Sequence, residues 1–324
     1  MKNVKVNTIF DDSVEQPQIK RGWLESHEDY TGFRLEFPYI HIIGNQPGPR
    51  LTIVACVHGD ELNGIPIIHK IAEYLDPHKV TGQILLLPIA NIQGFHFQSR
   101  YMADRKDLNR LFPGTKKGSE GSRYAHFIFE QFIQNADFLI DLHAAGSNRW
   151  NYPHIRGQMK SATVRKMAKL FGAEVCMQSS GIDGSLRHAA ASNNIPAILF
   201  EAGQTNRFEP YVVDIGVQGI WNILFNYEMV NYWPQDLQAP QETKKYYKSF
   251  HWVRSNYGGL FLAKKFPGDL IKKGETLGII KSILGEVRHE IKAKVNGKII
   301  GFNLHPQVVP GRALYHVARN EIEI

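Results

Sequence analysis

The chain has 324 residues, of which 43% are hydrophobic, 21% charged and 11% aromatic. That length suits about two domains, and the composition is that of a folded protein with an ordinary core, which excludes a disordered or low-complexity chain. The net charge is +7 and the excess sits late in the chain, where residues 240–324 carry 15 Lys and Arg against 7 Asp and Glu.

From the N-terminus, Met1-Lys2-Asn3-Val4-Lys5 runs into Asp11-Asp12 with no apolar h-region, so no secretory signal is expected. Leu51 to Val57 is a continuous apolar run, the pattern of a strand covered on both faces. Ile65, Ile68, Ile71, Ala72 and Leu75 recur at helical spacing. A second buried strand spans Ile84 to Ile89, and a helix is expected from Tyr124 to Ile133. Phe138 to Leu142 reads as a strand, Thr163 to Phe171 as a helix, Ala197 to Phe200 as a strand and Val212 to Tyr232 as a long helix. This alternation predicts an α/β fold, a sheet flanked by helices. Residues 234–243 hold two prolines and little apolar content and read as a linker. Beyond it, short apolar pieces punctuated by Gly258, Gly259, Gly268, Gly274, Gly278, Gly285, Gly297, Gly301 and Gly311 predict a small all-β unit. The division is a catalytic α/β domain over residues 1–238 and an accessory β domain over residues 245–324.

The composition also bounds the partners. The basic residues of the last part come in pairs (Lys244-Lys245, Lys264-Lys265, Lys272-Lys273) at turn-like positions, without the interleaved aromatics that stack nucleic-acid bases. They read as solvated turns, and no nucleic-acid partner is expected. The strongest apolar run, Ile84 to Ala90, is strand-length, so no membrane span is expected either. Cys56 and Cys176 read as buried free thiols, consistent with a reducing cytoplasm.

Three polar groups follow directly on predicted buried strands, where ligands of open α/β sheets bind. His58-Gly59-Asp60-Glu61 puts an imidazole and a carboxylate three residues apart across a glycine turn. Asp141-Leu142-His143 supplies a second imidazole, with Ala144-Ala145-Gly146 leaving room beside it. Glu201 follows Ala197 to Phe200. Two His and one Glu form a catalytic zinc set with an open position, as in carboxypeptidase A. Zinc acidifies water and polarises a carbonyl, and a separate carboxylate such as Glu201 can move the proton. Each piece alone has a structural reading: a surface His–Glu pair, a strand-end Asp, a helix cap. A fourth segment, Asp107-Leu108-Asn109-Arg110-Leu111-Phe112-Pro113-Gly114, offers a guanidinium fork and an amide suited to a substrate carboxylate. Arg100 is a further cation able to face a developing oxyanion. There is no His-Glu-x-x-His, Gly-x-Ser-x-Gly, Gly-x-Gly-x-x-Gly, P-loop or Cys-x-x-Cys motif.

His58-Gly-Asp-Glu61, Asp107-Leu-Asn109-Arg110-Leu-Phe-Pro-Gly, Asp141-Leu-His143 and Phe200-Glu201-Ala-Gly together resemble the succinylglutamate desuccinylase/aspartoacylase family, a branch of the zinc carboxypeptidase-like fold. The resemblance implies one zinc ion per chain on His58, Glu61 and His143, with Glu201 as general base. It implies Asn109 and Arg110 as binders of the substrate carboxylate and Arg100 as the residue polarising the scissile carbonyl, with Arg105 the alternative. Arg156 and Arg187 are its candidates for contact with a second carboxylate. Ser147 to Arg156 resembles the predicted bacterial deacylases of this family. The C-terminal unit resembles the biotinyl/lipoyl-like β-fold but lacks the modified lysine, Lys292 to Gly297 standing near that turn. The expectation is therefore a cytoplasmic zinc-dependent deacylase acting on a small N-acylated amino acid or similar carboxylate-bearing amide, compatible with a homo-oligomer. The rival is a metallocarboxypeptidase acting on a peptide or peptidoglycan-like C-terminus.

Overall fold

The apolar runs of the first half form the middle of one twelve-stranded sheet. A computed structural model describes residues 9–10, 16–28, 32, 34–146, 148–243 and 245–324. Residues 1–5, Asp11, Asp12, Ser147 and Lys244, used in the expectations above, lie outside the described residues. The strands up to the linker are β1 (Gln18–Glu28), β2 (Arg34–Ile43), β3 (Gln46–Ala55), β4 (Thr81–Leu87), β5 (Phe138–Ala145), β6 (Arg149–Gly157), β7 (Val175–Gln178) and β8 (Ala197–Gln204). Between them lie α1 (Gly64–Tyr74), α2 (Ile92–His96), α3 (Glu120–Ile128), α4 (Ala162–Phe171) and α5 (Leu186–Ser192), and α6 (Pro210–Asn226) follows. After the linker come β9 (Lys245–Arg254), β10 (Gly259–Ala263), β11 (Leu270–Ile271), β12 (Thr276–Lys281), β13 (Val287–Lys292), β14 (Gly297–Asn303), β15 (Gln307–Val308) and β16 (Ala313–Glu323).

The large sheet has the order β1-β2-β4-β3-β5-β8-β6-β7-β9-β16-β14-β11. Its centre, β4-β3-β5-β8, is parallel. Side chains alternate between two buried faces, which explains the unbroken apolar runs. Leu51 and Ile53 face a core shared with Ile67 of α1, Met167 of α4 and Val217 of α6, while Val54 faces one shared with Tyr124, Ile128 and Leu186. Each such Leu or Ile contributes roughly 1.5–3 kcal/mol by burial. The Ser161 side chain caps α4 by accepting from Val164 N–H, and Gly172 ends it in the left-handed conformation.

Several elements differ from expectation. The helix expected to reach Tyr232 stops at Asn226, because Glu228 takes a positive φ of 56° and Val230 bridges to Val80. The helix expected to Ile133 is α-helical to Ile128 and closes with a π turn over Phe129–Ile133. β5 and β8 run on to Ala145 and Gln204, so His143 and Glu201 lie within strands and not beyond them. The reason is pairing: β8 keeps partners on both sides, β5 through His143↔Glu201 and β6 through His154↔Glu201.

The residues after the linker are all β, in two groups. β13-β12-β10-β15 form a four-stranded sheet around a small core that includes Leu277, Ile280 and Ile291. β9, β16, β14 and β11 continue the large sheet beyond β7. β14 also pairs back onto β6, through Gly301↔Asn151, Phe302↔Trp150 and Asn303↔Arg149. The pairings β6-β7-β9-β16-β14 thus close on themselves and bring C-terminal strands over the rim of β5 and β8. Among the described residues no helix is long and apolar enough to cross a membrane.

Candidate active site and metal centre

The loop after β3 turns sharply to present His58 and Glu61. Glu61 N–H donates to His58 O at 3.1 Å, closing the turn. Gly59 is needed there: a Cβ would stand 2.0 Å from the Gly94 carbonyl carbon of α2. On β5, Asp141 and His143 share one face because strand side chains alternate. Glu61 receives both imidazoles, with His58 Nδ1 at 2.8 Å from Oε1 and His143 Nδ1 at 2.8 Å from Oε2. Ala144 N–H also donates to Oε2, at 2.9 Å.

The opposite ring nitrogens face carboxylates. His58 Nε2 lies 3.2 Å from Asp107 Oδ1, and His143 Nε2 lies 3.0 Å from Asp141 Oδ1, close but not aligned as a hydrogen bond. Such outer carboxylates orient imidazole ligands and fix which nitrogen meets a metal. Burial by itself raises the Glu61 carboxyl, but His58 and His143 outweigh it and hold it far below the usual range. His143 shows the reverse balance: burial disfavours its charge, and Asp141 and Glu61 lift it well above the ordinary value.

These three residues fit a divalent cation. Their ligand atoms all lie within 4.8 Å of one another and all three side chains are buried. Two imidazole nitrogens and a carboxylate are the donor set of a catalytic zinc site, and a cation would take the place of the protons now held between the rings and Glu61.

Arg100 closes one side. Its Nη1 lies 3.3 Å from Glu61 Oε1 and 3.2 Å from His58 Nδ1, and its Nη2 donates to Asp107 Oδ2 at 2.8 Å. Arg105, the alternative, is exposed and does not line the cavity described next. Asp107 therefore holds His58, Arg100 and, through Oδ1, the Asn109 N–H at 2.9 Å. Asn109 is buried and its Oδ1 accepts from Leu186 N–H at 2.8 Å, tying the loop to the start of α5. Arg110 is exposed, with Nη1 donating to the Asn109 carbonyl at 2.6 Å.

A cavity of about 470 Å³ opens on His58, Glu61 and His143. Arg100, Asn109, Arg110, Arg149, Arg156, Arg187 and Glu201 line it, along with Trp252, Phe250 and His316 from the C-terminal strands. Five arginines thus meet Glu61, Asp141 and Glu201 there. The Glu201 side chain is 16% exposed, against 2% for Glu61, so of the two cavity-lining carboxylates Glu201 is the more open. Asn151 Nδ2 donates to its Oε1 at 2.9 Å and Arg156 Nε lies 3.3 Å from its Oε2. Burial raises the Glu201 carboxyl, and Arg156 and His154 more than offset this, leaving it below its ordinary value.

Arg156, expected to contact substrate, is engaged inside the protein. Its Nε also donates to His154 Nε2 at 3.0 Å, and His154 Nδ1 in turn donates to the Tyr152 carbonyl at 2.7 Å. Arg187 is buried and donates to the Ser179 carbonyl and, at 3.0 Å, to Ser179 Oγ. Its Nε has no hydrogen-bond partner among the described residues. The expected residues His58, Glu61, Arg100, Asn109, Arg110, His143, Arg156 and Glu201 therefore all reach one cavity. Sequence reasoning assigned no role to Asp107, Asn151, Arg149, Trp252 or His316. Asp107 stands inside a motif, and Arg149 and Asn151 inside the stretch that resembles family members; Trp252 and His316 carry no local signal.

Comparisons with known proteins place the chain among curated and solved relatives. The chain is 24% identical over 249 residues to the N-alpha-acetyl-L-2,4-diaminobutyric acid deacetylase of Halomonas elongata, covering 74% of this chain and 72% of that protein. A succinylglutamate desuccinylase/aspartoacylase from Rhodobacter sphaeroides superposes with a TM-score of 0.82 at 23% identity, over 97% of this chain and 98% of that one. The product-bound ectoine utilization protein EutE (DoeB) of Ruegeria pomeroyi superposes at 0.81 with 21% identity, over 94% and 98%. These likenesses establish a shared mixed α/β fold. A family model described as the succinylglutamate desuccinylase/aspartoacylase catalytic domain matches residues 47–226, more than half of the chain, and the protein therefore belongs to the succinylglutamate desuccinylase/aspartoacylase family.

Proposed function

We propose that this protein is a cytoplasmic, zinc-dependent deacylase that hydrolyses the amide of a small N-acylated amino acid. The observation that carries the reading is the convergence of His58, Glu61 and His143 beside a partly open carboxylate, Glu201, in one arginine-lined cavity. Bound to those three residues, one zinc ion would supply Lewis acidity, acidifying a water and polarising a carbonyl. Glu201, ionised and held by Asn151 and Arg156, takes the water's proton and returns it to the departing amine. Arg100 adds a fixed positive charge where the carbonyl oxygen gains negative charge. Asn109 and Arg110 orient the substrate through its carboxylate. Phe250, Trp252 and His316 of the C-terminal strands add to the wall of that cavity, and in this reading its limited volume suits a small amide better than a peptide chain. Two free, buried cysteines suit a reducing compartment.

The test is a hydrolysis screen of N-acyl amino acids with chelated protein and with Zn²⁺ restored. Zinc-restored release of a free amino acid is expected. Cleavage of C-terminal residues from peptides, with every N-acyl amino acid left intact, would replace this reading with the carboxypeptidase one.

A further inference from the structure

Glu209 is not among the residues that line the cavity, yet three segments of the site meet on its side chain. Its Oε2 accepts from the Gln204 N–H at 2.8 Å and from Asn63 Nδ2 at 3.2 Å, and its Oε1 accepts from Trp150 Nε1 at 2.7 Å. Its own N–H donates to Asn63 Oδ1 at 2.9 Å, so Asn63 and Glu209 hold each other reciprocally. Asn63 follows Glu61 by two residues, Gln204 follows Glu201 by three, and Trp150 precedes Asn151, whose amide donates to Glu201. A further bond spans the same gap, from the Asn206 N–H to the Asp60 carbonyl at 2.8 Å.

The residue types fit this cluster closely. Asn63 and Glu209 stand at the starts of α1 and α6, and neither side chain caps its own helix. Asn is among the best helix caps, but here a side chain only 1% exposed turns its oxygen to the Glu209 N–H and its nitrogen to Glu209 Oε2. Gly203, opposite Asn151 on β6, has a φ of 71°, and a Cβ there would stand 2.0 Å from Glu209 Oε2 and 2.6 Å from Asn63 Nδ2. Glycine alone lets β8 pass so near the carboxylate. Trp150, Gln204 and Asn63 all present donors to the two oxygens. A carboxylate only accepts, whereas an amide would turn a donor onto either Trp150 or Gln204.

We propose that Glu209 is a positioning residue for the reaction: its carboxylate ties the loop that carries His58 and Glu61 to strand β8, and through Trp150 to the residue holding Glu201, and so sets the proposed base against the proposed metal ligands. Glu209 acts through those residues and meets neither substrate nor metal. The proposal rests on the deacylase reading for what turnover means, though not for the existence of the clamp. Outer partners of this kind are worth roughly 10–100-fold in metal affinity or activity, and a displacement of about 1 Å at reacting groups costs roughly 100-fold in rate.

Glu209→Gln should lower kcat on a hydrolysed N-acyl amino acid by roughly 10–100-fold. KM should change little, because Asn109 and Arg110 make no bond to the cluster. Zinc affinity, measured against a chromophoric chelator, should fall in the same variant. Glu209→Asp keeps two acceptor oxygens and should recover part of both losses. The arms of the clamp separate it from a merely structural role. Trp150→Phe removes only the donor beside Asn151 and should lower kcat with zinc affinity near the parental value. Asn63→Ala cuts the arm beside Glu61 and should lower zinc affinity. Losses of kcat, KM and affinity that track the melting temperature in all variants, without this division, would overturn the proposal. If Glu209→Gln does not fold, Trp150→Phe decides, and parental kcat there removes the clamp from the reaction. Hydrogen exchange on the metal-free chain tests the clamp apart from the chemistry. Faster exchange in Glu209→Gln confined to peptides covering residues 58–64 and 201–209 supports it even if no amide is hydrolysed, and unchanged exchange in both overturns it. Parental kcat and zinc affinity in a folded Glu209→Gln would leave the deacylase standing and remove the proposal.

Discussion

His143 and Glu201 are register partners on the adjacent parallel strands β5 and β8. Neighbouring strands run about 4.8 Å apart, so the sheet sets a proposed metal ligand beside a proposed general base without help from a loop. The rest of the surroundings separate their roles. His143 turns its Nδ1 to Glu61, whereas Glu201 is held by Asn151 and Arg156.

Glu201→Gln is expected to keep the metal and lose turnover. The amide is nearly isosteric and can still meet Asn151, but it accepts no proton at neutral pH. Loss of a positioned base costs roughly 10²–10⁴-fold in kcat. Metal analysis alongside kinetics on a confirmed substrate checks both halves, and parental turnover would remove Glu201 from the role.

The metal site should fail in graded fashion. His58→Ala removes a donor and should abolish zinc retention after dialysis. Asp107→Asn leaves the three donors in place but weakens the partner of His58 Nε2, and should reduce zinc affinity roughly 10–100-fold. Competition with a chromophoric chelator measures both. Retention of zinc at the parental level in His58→Ala would exclude this site.

Arg110→Ala should harm substrates with a free carboxylate and spare the matching primary amides. The guanidinium is exposed, so a loss of roughly 1.5–3 kcal/mol, the worth of a hydrogen bond to a charged group, is expected in kcat/KM. Arg110→Lys should recover only part, because ammonium lacks the planar fork. Equal losses on acid and amide, with a lowered melting temperature, would instead make Arg110 a structural residue of its loop.

Acid should weaken the fold through His154. Burial first, then the Arg156 charge, lowers its pKa from 6.5 to about 4. Above pH 6.5 the ring is neutral in both folded and unfolded chains, and its contribution is fully present. As pH falls through 6.5 the unfolded chain binds a proton that the folded one does not, and stability drops until about pH 4. The group accounts for about 3 kcal/mol across that window. Urea melts of the parent and of His154→Gln at pH 7, 5.5 and 4.5 check this; an unchanged slope in the variant would contradict it.

Ending the chain at residue 238 should not yield a stable half. β7 would lose β9, and β6 would lose β14, leaving two open strand edges beside the site. Aggregation of the truncated protein on expression is the expected result. A soluble, zinc-binding fragment with cooperative melting would show that residues 1–238 fold alone.

The chain itself discloses the donors of the metal set. His58 and Glu61 are separated by one turn, and Asp141 and His143 by one strand period, so local geometry is enough to pair each couple. Apolar runs such as Leu51 to Val57 disclose the central strands for the same reason, since a strand buried on both faces must be apolar throughout. Short-range spacing cannot foresee the contacts made across strands far apart in sequence. Arg156 reads as a candidate for substrate contact until β6 is laid antiparallel to β8, where Glu201 claims it. The glycine-rich tail reads as a separate unit until β14 pairs with β6 and carries β16 over the cavity. His316 and Trp252, 64 residues apart, meet only because β9 and β16 are antiparallel neighbours. Their place in the wall of the cavity is a property of the closed sheet and of no segment within it.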